Sequence, residues 1–86
     1  MKVSQVIKKK LLIPGDRVLF TEKIYPEQGV DIESLFYGVV TAIDDIHIYI
    51  VYDLPRGFHE SERRTLQLTW TELIERVRQD KLKILP

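Results

Sequence analysis

The spacing of apolar residues along this chain changes period several times, and each change marks an element. Val3, Val6, Ile7 and Leu11 recur at i, i+3, i+4 and i+8, the stripe of an amphipathic helix. A short helix over residues 3–12, capped by Ser4, is one reading, and a short edge strand is the other. Pro14-Gly15-Asp16 then ends the element in a turn. Residues 17–24 are rich in β-branched and aromatic side chains, and Val18, Phe20 and Ile24 share one strand parity. Pro26, Gly29 and several acidic residues make 25–34 a loop of about ten residues, longer than most connections. Residues 35–43 form a second strand, with a bulge or bend expected at Gly38. Asp44-Asp45 is a turn. Residues 46–52 are the strongest strand, with Ile46, Ile48, Ile50 and Tyr52 on one face and His47, Tyr49 and Val51 on the other. Pro55 and Gly57 punctuate a second loop over 53–62, and a fourth strand follows over 64–69, with Leu66 and Leu68 inward.

The period then switches to that of a helix. Thr69 followed by Glu72 is a capping box, in which each side chain satisfies a backbone N–H of the other's turn. Trp70, Leu73, Ile74 and Val77 supply a core stripe at i, i+3, i+4 and i+7, and the helix should end near Gln79. Leu82 and Ile84 point inward from a last short strand. The expected fold is mainly β. It is a small five-stranded barrel with one helix before the last strand and a short N-terminal helix, in a single domain over 1–86. Residues 1–14 are the N-terminal helical segment and 15–86 the barrel, since only a barrel removes its strand edges in so few residues.

Residues 15–20 (GDRVLF) and 36–53 (FYGVVTAIDDIHIYIVYD) resemble the small barrels of the Src-homology-3-like class. Gly15-Asp16-Arg17-Val18 is similar to the entry of their first strand. Gly38-Val39-Val40 followed by Ile43 is similar to the glycine–valine hairpin of KOW-type and Tudor-type modules. The resemblance implies a fold and a general role in binding, and it assigns no residue.

Composition narrows the function. The 86 residues carry 13 basic and 13 acidic side chains, a balance unlike that of a dedicated polyanion binder. The balance is uneven along the chain: residues 1–23 sum to +4, residues 24–53 to −6 and residues 54–86 to +2. Cysteine is absent, which removes disulfides and thiolate metal sites and fits a reducing compartment. The run Leu11-Leu12-Ile13 is too short for a signal-peptide core or a membrane span, so a cytoplasmic protein with no membrane association is expected. Lys8-Lys9-Lys10 reads as a solvated face. His59, Glu60 and Glu62 are too close in sequence to surround a metal ion, so neither metal nor cofactor is expected. No phosphate loop, nucleophile elbow or zinc-protease motif is present, and a non-enzymatic protein is expected.

Two binding readings follow. His47, Tyr49 and Val51, with Tyr37, form a tyrosine-bearing outer face that either meets a protein partner or a second copy, or is covered by the N-terminal helix as part of the fold. Contact with a partner is the expected function: a protein-interaction module or small inhibitor. By analogy, small accessory proteins of phages and mobile elements are of this kind. The alternative is a nucleotide- or nucleic-acid-binding module. In it Arg56, Arg63 and Arg64 grip an anion, Phe58 stacks on a base, and His59 lies in the same loop.

Overall fold

A computed structural model describes residues 12–24, 29, 32–57 and 59–86. The expected N-terminal helix over 3–12 lies outside the described residues, apart from Leu12. The elements are β1 (Arg17–Ile24), β2 (Ile32–Ile43), β3 (His47–Gly57), β4 (Glu60–Thr69), α1 (Trp70–Arg78) and β5 (Leu82–Ile84). All five strands join one antiparallel sheet in the order β4-β3-β2-β1-β5. Among the described residues β4 and β5 are not paired with each other, so the sheet is not closed. The helix α1 packs against β3, β4 and β5.

Alternation makes one face of this sheet the core. Val18 and Phe20 of β1, Phe36 and Val40 of β2, Ile48, Ile50, Tyr52 and Leu54 of β3, and Leu68 of β4 are buried together with Leu12, Leu73 and Leu82. A fully buried side chain of this size contributes roughly 1.5–3 kcal/mol. Phe20, Phe36 and Tyr52 form an aromatic trio, with centroids 5.9 Å apart for the two phenylalanines and 5.1 Å from each to Tyr52. Phe20 and Tyr52 meet edge to face at 85°, the arrangement that ring quadrupoles favour.

Strand β2 is shared between two hairpins. Residues 32–39 pair with β1, residues 38–43 pair with β3, and only Gly38 and Val39 pair on both sides. Beyond the Gly38–Tyr52 pair the β1–β2 and β3–β4 arms part. Gly38 is needed at this junction because a Cβ there would run into Ile50 Cγ2, stand 2.9 Å from Phe20 Cε1 and 3.2 Å from the Val51 carbonyl oxygen. The expected bulge lies three residues later. The register shifts between Val40 and Ala42, which leaves Thr41 as the extra residue.

Local chemistry fixes the ends of the elements. Pro14 and Gly15 (φ 99°) occupy the two central positions of a turn closed by Asp16 N–H donating to the Ile13 carbonyl (3.1 Å). The capping box of α1 is complete: Thr69 Oγ1 accepts from Glu72 N–H (3.1 Å), and Glu72 Oε1 accepts from Thr69 N–H (2.9 Å). At the other end Asp80 N–H donates to the Val77 carbonyl (3.2 Å) and Lys81 N–H to the Arg76 carbonyl (2.8 Å), with Asp80 left-handed at φ 61°. This is a Schellman termination with aspartate where glycine is usual. Arg76 then ties the helix to β1, donating to the Thr21 carbonyl (2.9 Å) and to Glu22 (3.0 Å).

Two expected boundaries are corrected. The loop over 53–62 is instead most of a hairpin. β3 continues to Gly57, β4 begins at Glu60, and Gly57 pairs with Glu60, which leaves two residues between them. Pro55 and Gly57 sit in this two-stranded arm, where a strand tolerates such residues because one of its edges pairs with no other described strand. Likewise β2 begins at Ile32 and shortens the loop expected over 25–34.

Candidate functional site

The outer face of the sheet carries the most exposed apolar surface among the described residues. On β2, Leu35, Tyr37 and Val39 occupy successive outward positions and are 64%, 73% and 42% exposed, whereas their neighbours Phe36, Gly38 and Val40 are buried. Pairing extends the stripe sideways. Val39 lies beside Val51, and Tyr37 lies beside Leu19. Past the Thr41 bulge, Ala42 lies beside Tyr49. Tyr37, Val39, Thr41, Val51, Tyr52, Asp53 and Arg63 line a shallow groove of about 390 Å³, while the Tyr52 ring itself packs in the core. Burial pushes the Tyr52 hydroxyl above its ordinary range, so it stays neutral.

Of the partner-face residues expected from sequence, Tyr37, Tyr49 and Val51 fall on this surface. His47 lies at its end, half-buried, with its ring 6.1 Å from that of Tyr49. Leu35, Val39 and Leu19 complete the surface and were not expected. Their signal was the alternation of β2, in which a buried glycine at 38 assigns every odd position from 35 to 39 to the outer side. Ile46 departs from the expected inner row. It is 62% exposed because Asp44 Oδ1 accepts from the N–H groups of both Ile46 (2.8 Å) and His47 (2.6 Å), holding residue 46 in the turn. Those two backbone donors, His47 foremost, hold the Asp44 carboxyl below its usual range.

Polar residues border the apolar stripe. Arg17 is paired with Val39 and Lys83 with Leu19, so one flank is basic. On the other flank Asp53 accepts from Arg63 Nε at 3.3 Å, a neutral pair, and Thr65 and Gln67 continue the border. The apolar centre of this face thus lies within a polar border.

Two of the three arginines of the alternative reading converge, and the third does not. Arg56 and Arg64 lie on the same side of the β3–β4 arm, and both forks close on one oxygen of Glu62, through Nη2 at 2.7 Å and 2.9 Å. These two guanidinium groups, Arg56 first, hold the Glu62 carboxyl low. Arg63 lies one residue away and therefore on the other side, beside Asp53. His59 is in the turn at φ 60°, and Phe58 lies outside the described residues.

A second recess, of about 380 Å³, is lined by Ile43, Asp44, Asp45 and Trp70. Trp70 Nε1 donates to the Asp44 carbonyl (3.1 Å), which locks the β2–β3 turn to the start of the helix. A third, of about 260 Å³, lies where Arg76 pairs with Glu22 and Lys81 with Glu33, with Lys23 also on its wall. Among the described residues no group of three acidic or histidine side chains is placed to hold a metal ion, and no helix is long and apolar enough to cross a membrane. No protein-family model, curated protein or solved structure matches this chain.

Proposed function

We propose that this chain is a non-enzymatic protein-interaction module, of the kind that small inhibitors and accessory proteins use, and that it docks through the outer face of β2. The observation that carries the reading is the Leu35–Tyr37–Val39 stripe, which is apolar and open while the opposite parity of the same strand is buried. An apolar stripe with a tyrosine at its centre costs solubility on a free surface and contributes affinity at a covered one. The proposal includes the architecture. The strand order, a β2 shared by two hairpins, the bulge at Thr41 and the helix beside both sheet ends support a sheet curled into a barrel of the Src-homology-3-like class. A cytoplasmic setting fits the lack of cysteine. The nucleotide-binding alternative has less support, because an anion would have to displace Glu62 from Arg56 and Arg64.

The test compares the wild-type chain with Leu35→Lys/Tyr37→Lys as baits in an extract of the native cell, with circular dichroism to confirm the fold. A protein held in stoichiometric amount by the wild type, a second copy included, and lost from the variant supports the reading. An unchanged bound set refutes it.

A further inference from the structure

Strand pairing leaves one backbone edge of β2 open along the exposed stripe. Val40 N–H donates to the Asp16 carbonyl (2.9 Å) at a directly opposed position, which turns the even residues of β2 toward β1. The odd residues therefore point their N–H and C=O groups the other way. Val39 meets Val51 of β3 there, but β3 parts from β2 beyond Tyr52. Glu33, Leu35 and Tyr37 are left facing the fork between the two arms, and among the described residues nothing bonds to their backbone groups. Leu35 and Tyr37 also carry the two most exposed large apolar side chains among the described residues.

Other open edges among the described residues lack this combination. Strand β5 is three residues long. Strand β3 turns Pro55 toward the fork, and proline has no N–H to donate. Along the open edge of β4 the outward side chains Arg63, Thr65 and Gln67 are polar. An unguarded strand edge is a template for a further strand. The side chains of the stripe fall well short of the roughly 800 Å² that each partner gives a standard interface. Strand addition meets that shortfall, because its main-chain hydrogen bonds supply affinity and a few side chains supply specificity.

We infer that β2 takes an extended segment of a partner protein as an added strand along residues 33–37, in the place that β3 vacates. This rests on the proposed docking role of the outer face and names the form of its occupant. The open edge is about 17 Å long at the usual rise of a strand. The segment's side chains beside Leu35 and Tyr37 face outward and are apolar. The one opposite Tyr37 enters the groove of about 390 Å³ that reaches from Tyr37 to Asp53 and Arg63. The side chain opposite Phe36 is small, because the Phe36 and Tyr52 rings, 5.1 Å apart, close the core side. The segment needs no charge: Asp53 and Arg63 pair with each other, and Glu33 is engaged by Lys81 at 3.8 Å.

Amide hydrogen exchange, read residue by residue on the full chain, tests this at the backbone. Alone, the chain should exchange its Leu35 and Tyr37 amides as fast as exposed groups, while those of Phe36 and Gly38, turned toward β1, stay protected. Protection of 35 and 37 in the free chain overturns the inference: if it grows with concentration a second copy holds the edge, and if it does not the chain covers the edge itself. The probe is a phage-displayed library of random twelve-residue peptides panned on the chain. Enriched peptides should slow exchange at 35 and 37 at least about tenfold. Methylating the Leu35 nitrogen in a chemically synthesised chain removes the donor and fills the space of the incoming carbonyl, so it should weaken their binding at least about tenfold with circular dichroism unchanged. Failure to enrich any peptide, or enriched peptides that leave both amides exchanging as before, overturns it. If the chain methylated at Leu35 still holds the protein that Leu35→Lys/Tyr37→Lys loses from a native extract, strand addition falls while the docking role stands.

Discussion

Gly38→Ala adds one methyl group at the junction where β2 passes from one hairpin to the other, and two opposed effects decide its outcome. Removing a glycine restricts the unfolded chain and ordinarily stabilises by about 0.4–1 kcal/mol where the backbone permits. Gly38 does not adopt a positive φ, so this gain is available. Against it stands the space. The new Cβ runs into Ile50 Cγ2 and approaches Phe20 Cε1 to 2.9 Å, and both side chains are fully buried, with no solvent into which to rotate. The Val51 carbonyl oxygen at 3.2 Å closes the remaining side, and backbone cannot turn aside as a side chain does. Relief requires β1 and β3 to move away from β2 at the place where it pairs with both. Overpacking of this kind costs about 1–3 kcal/mol, and the lack of any yielding neighbour puts Gly38 at the upper end. The net expectation is a loss of about 1–3 kcal/mol, read as a lower urea midpoint with unchanged slope. The double variant Gly38→Ala/Ile50→Ala provides the control. Truncating Ile50 alone costs about 2–5 kcal/mol, but it also vacates the space that the new methyl needs. The pair should therefore lose at least about 1 kcal/mol less than the sum of its members. A Gly38→Ala chain as stable as the wild type, or a strictly additive pair, would refute the reasoning.

Three further outcomes follow from local geometry. Asp80→Gly should stabilise by up to about 1 kcal/mol, because glycine carries no penalty at φ 61° and a negative charge leaves the C-terminal end of α1; a lower thermal midpoint would contradict this. Trp70→Phe should lose about 0.5–1.5 kcal/mol, the worth of the bond to the Asp44 carbonyl, whereas Trp70→Ala should lose more by stripping a half-buried ring from the core; a Trp70→Phe chain as stable as the wild type would show that the bond contributes nothing. Asp44 and Glu72 both have carboxyls held below their ordinary values of 3.8 and 4.5 by donors present only in the fold, the His47 N–H first for one and the Thr69 N–H first for the other. Their contribution to stability is complete above about pH 4.5 and is lost as pH falls through the folded values, so Asp44→Asn and Glu72→Gln should each flatten the acid limb of a stability–pH curve; an unchanged limb would refute the assignment.

Elements marked by apolar parity and capping were legible from the residues, and those set by strand context or by a competing side-chain hydrogen bond were not. Arg17–Ile24 and the capping box at Thr69 and Glu72 were readable because parity and capping are local chemistry. The β3–β4 hairpin was hidden by Pro55 and Gly57, which usually break strands. Here they lie in a two-stranded arm, and nothing local says that an arm will outrun the rest of the sheet. Ile46 has the parity of Ile48 and Ile50, but the Asp44 side chain captures its N–H, a competition that apolar periodicity does not register. The outer face was half-legible. Tyr37, Tyr49 and Val51 were identified from sequence, whereas assigning Leu35 and Val39 to the same side required knowing that Gly38 is buried against Ile50. Arg56, Arg63 and Arg64 form one cluster in sequence and two in space, because consecutive strand residues face opposite ways.

Whether the Leu35–Tyr37–Val39 face docks a protein is decided by one comparison. The wild type and Leu35→Lys/Tyr37→Lys, matched by circular dichroism, serve as baits in an extract of the native cell, beside sedimentation equilibrium of both chains. If the face docks, a protein held in stoichiometric amount by the wild type, a second copy included, is lost from the variant. An identical bound set with identical masses for the two chains would refute the docking role.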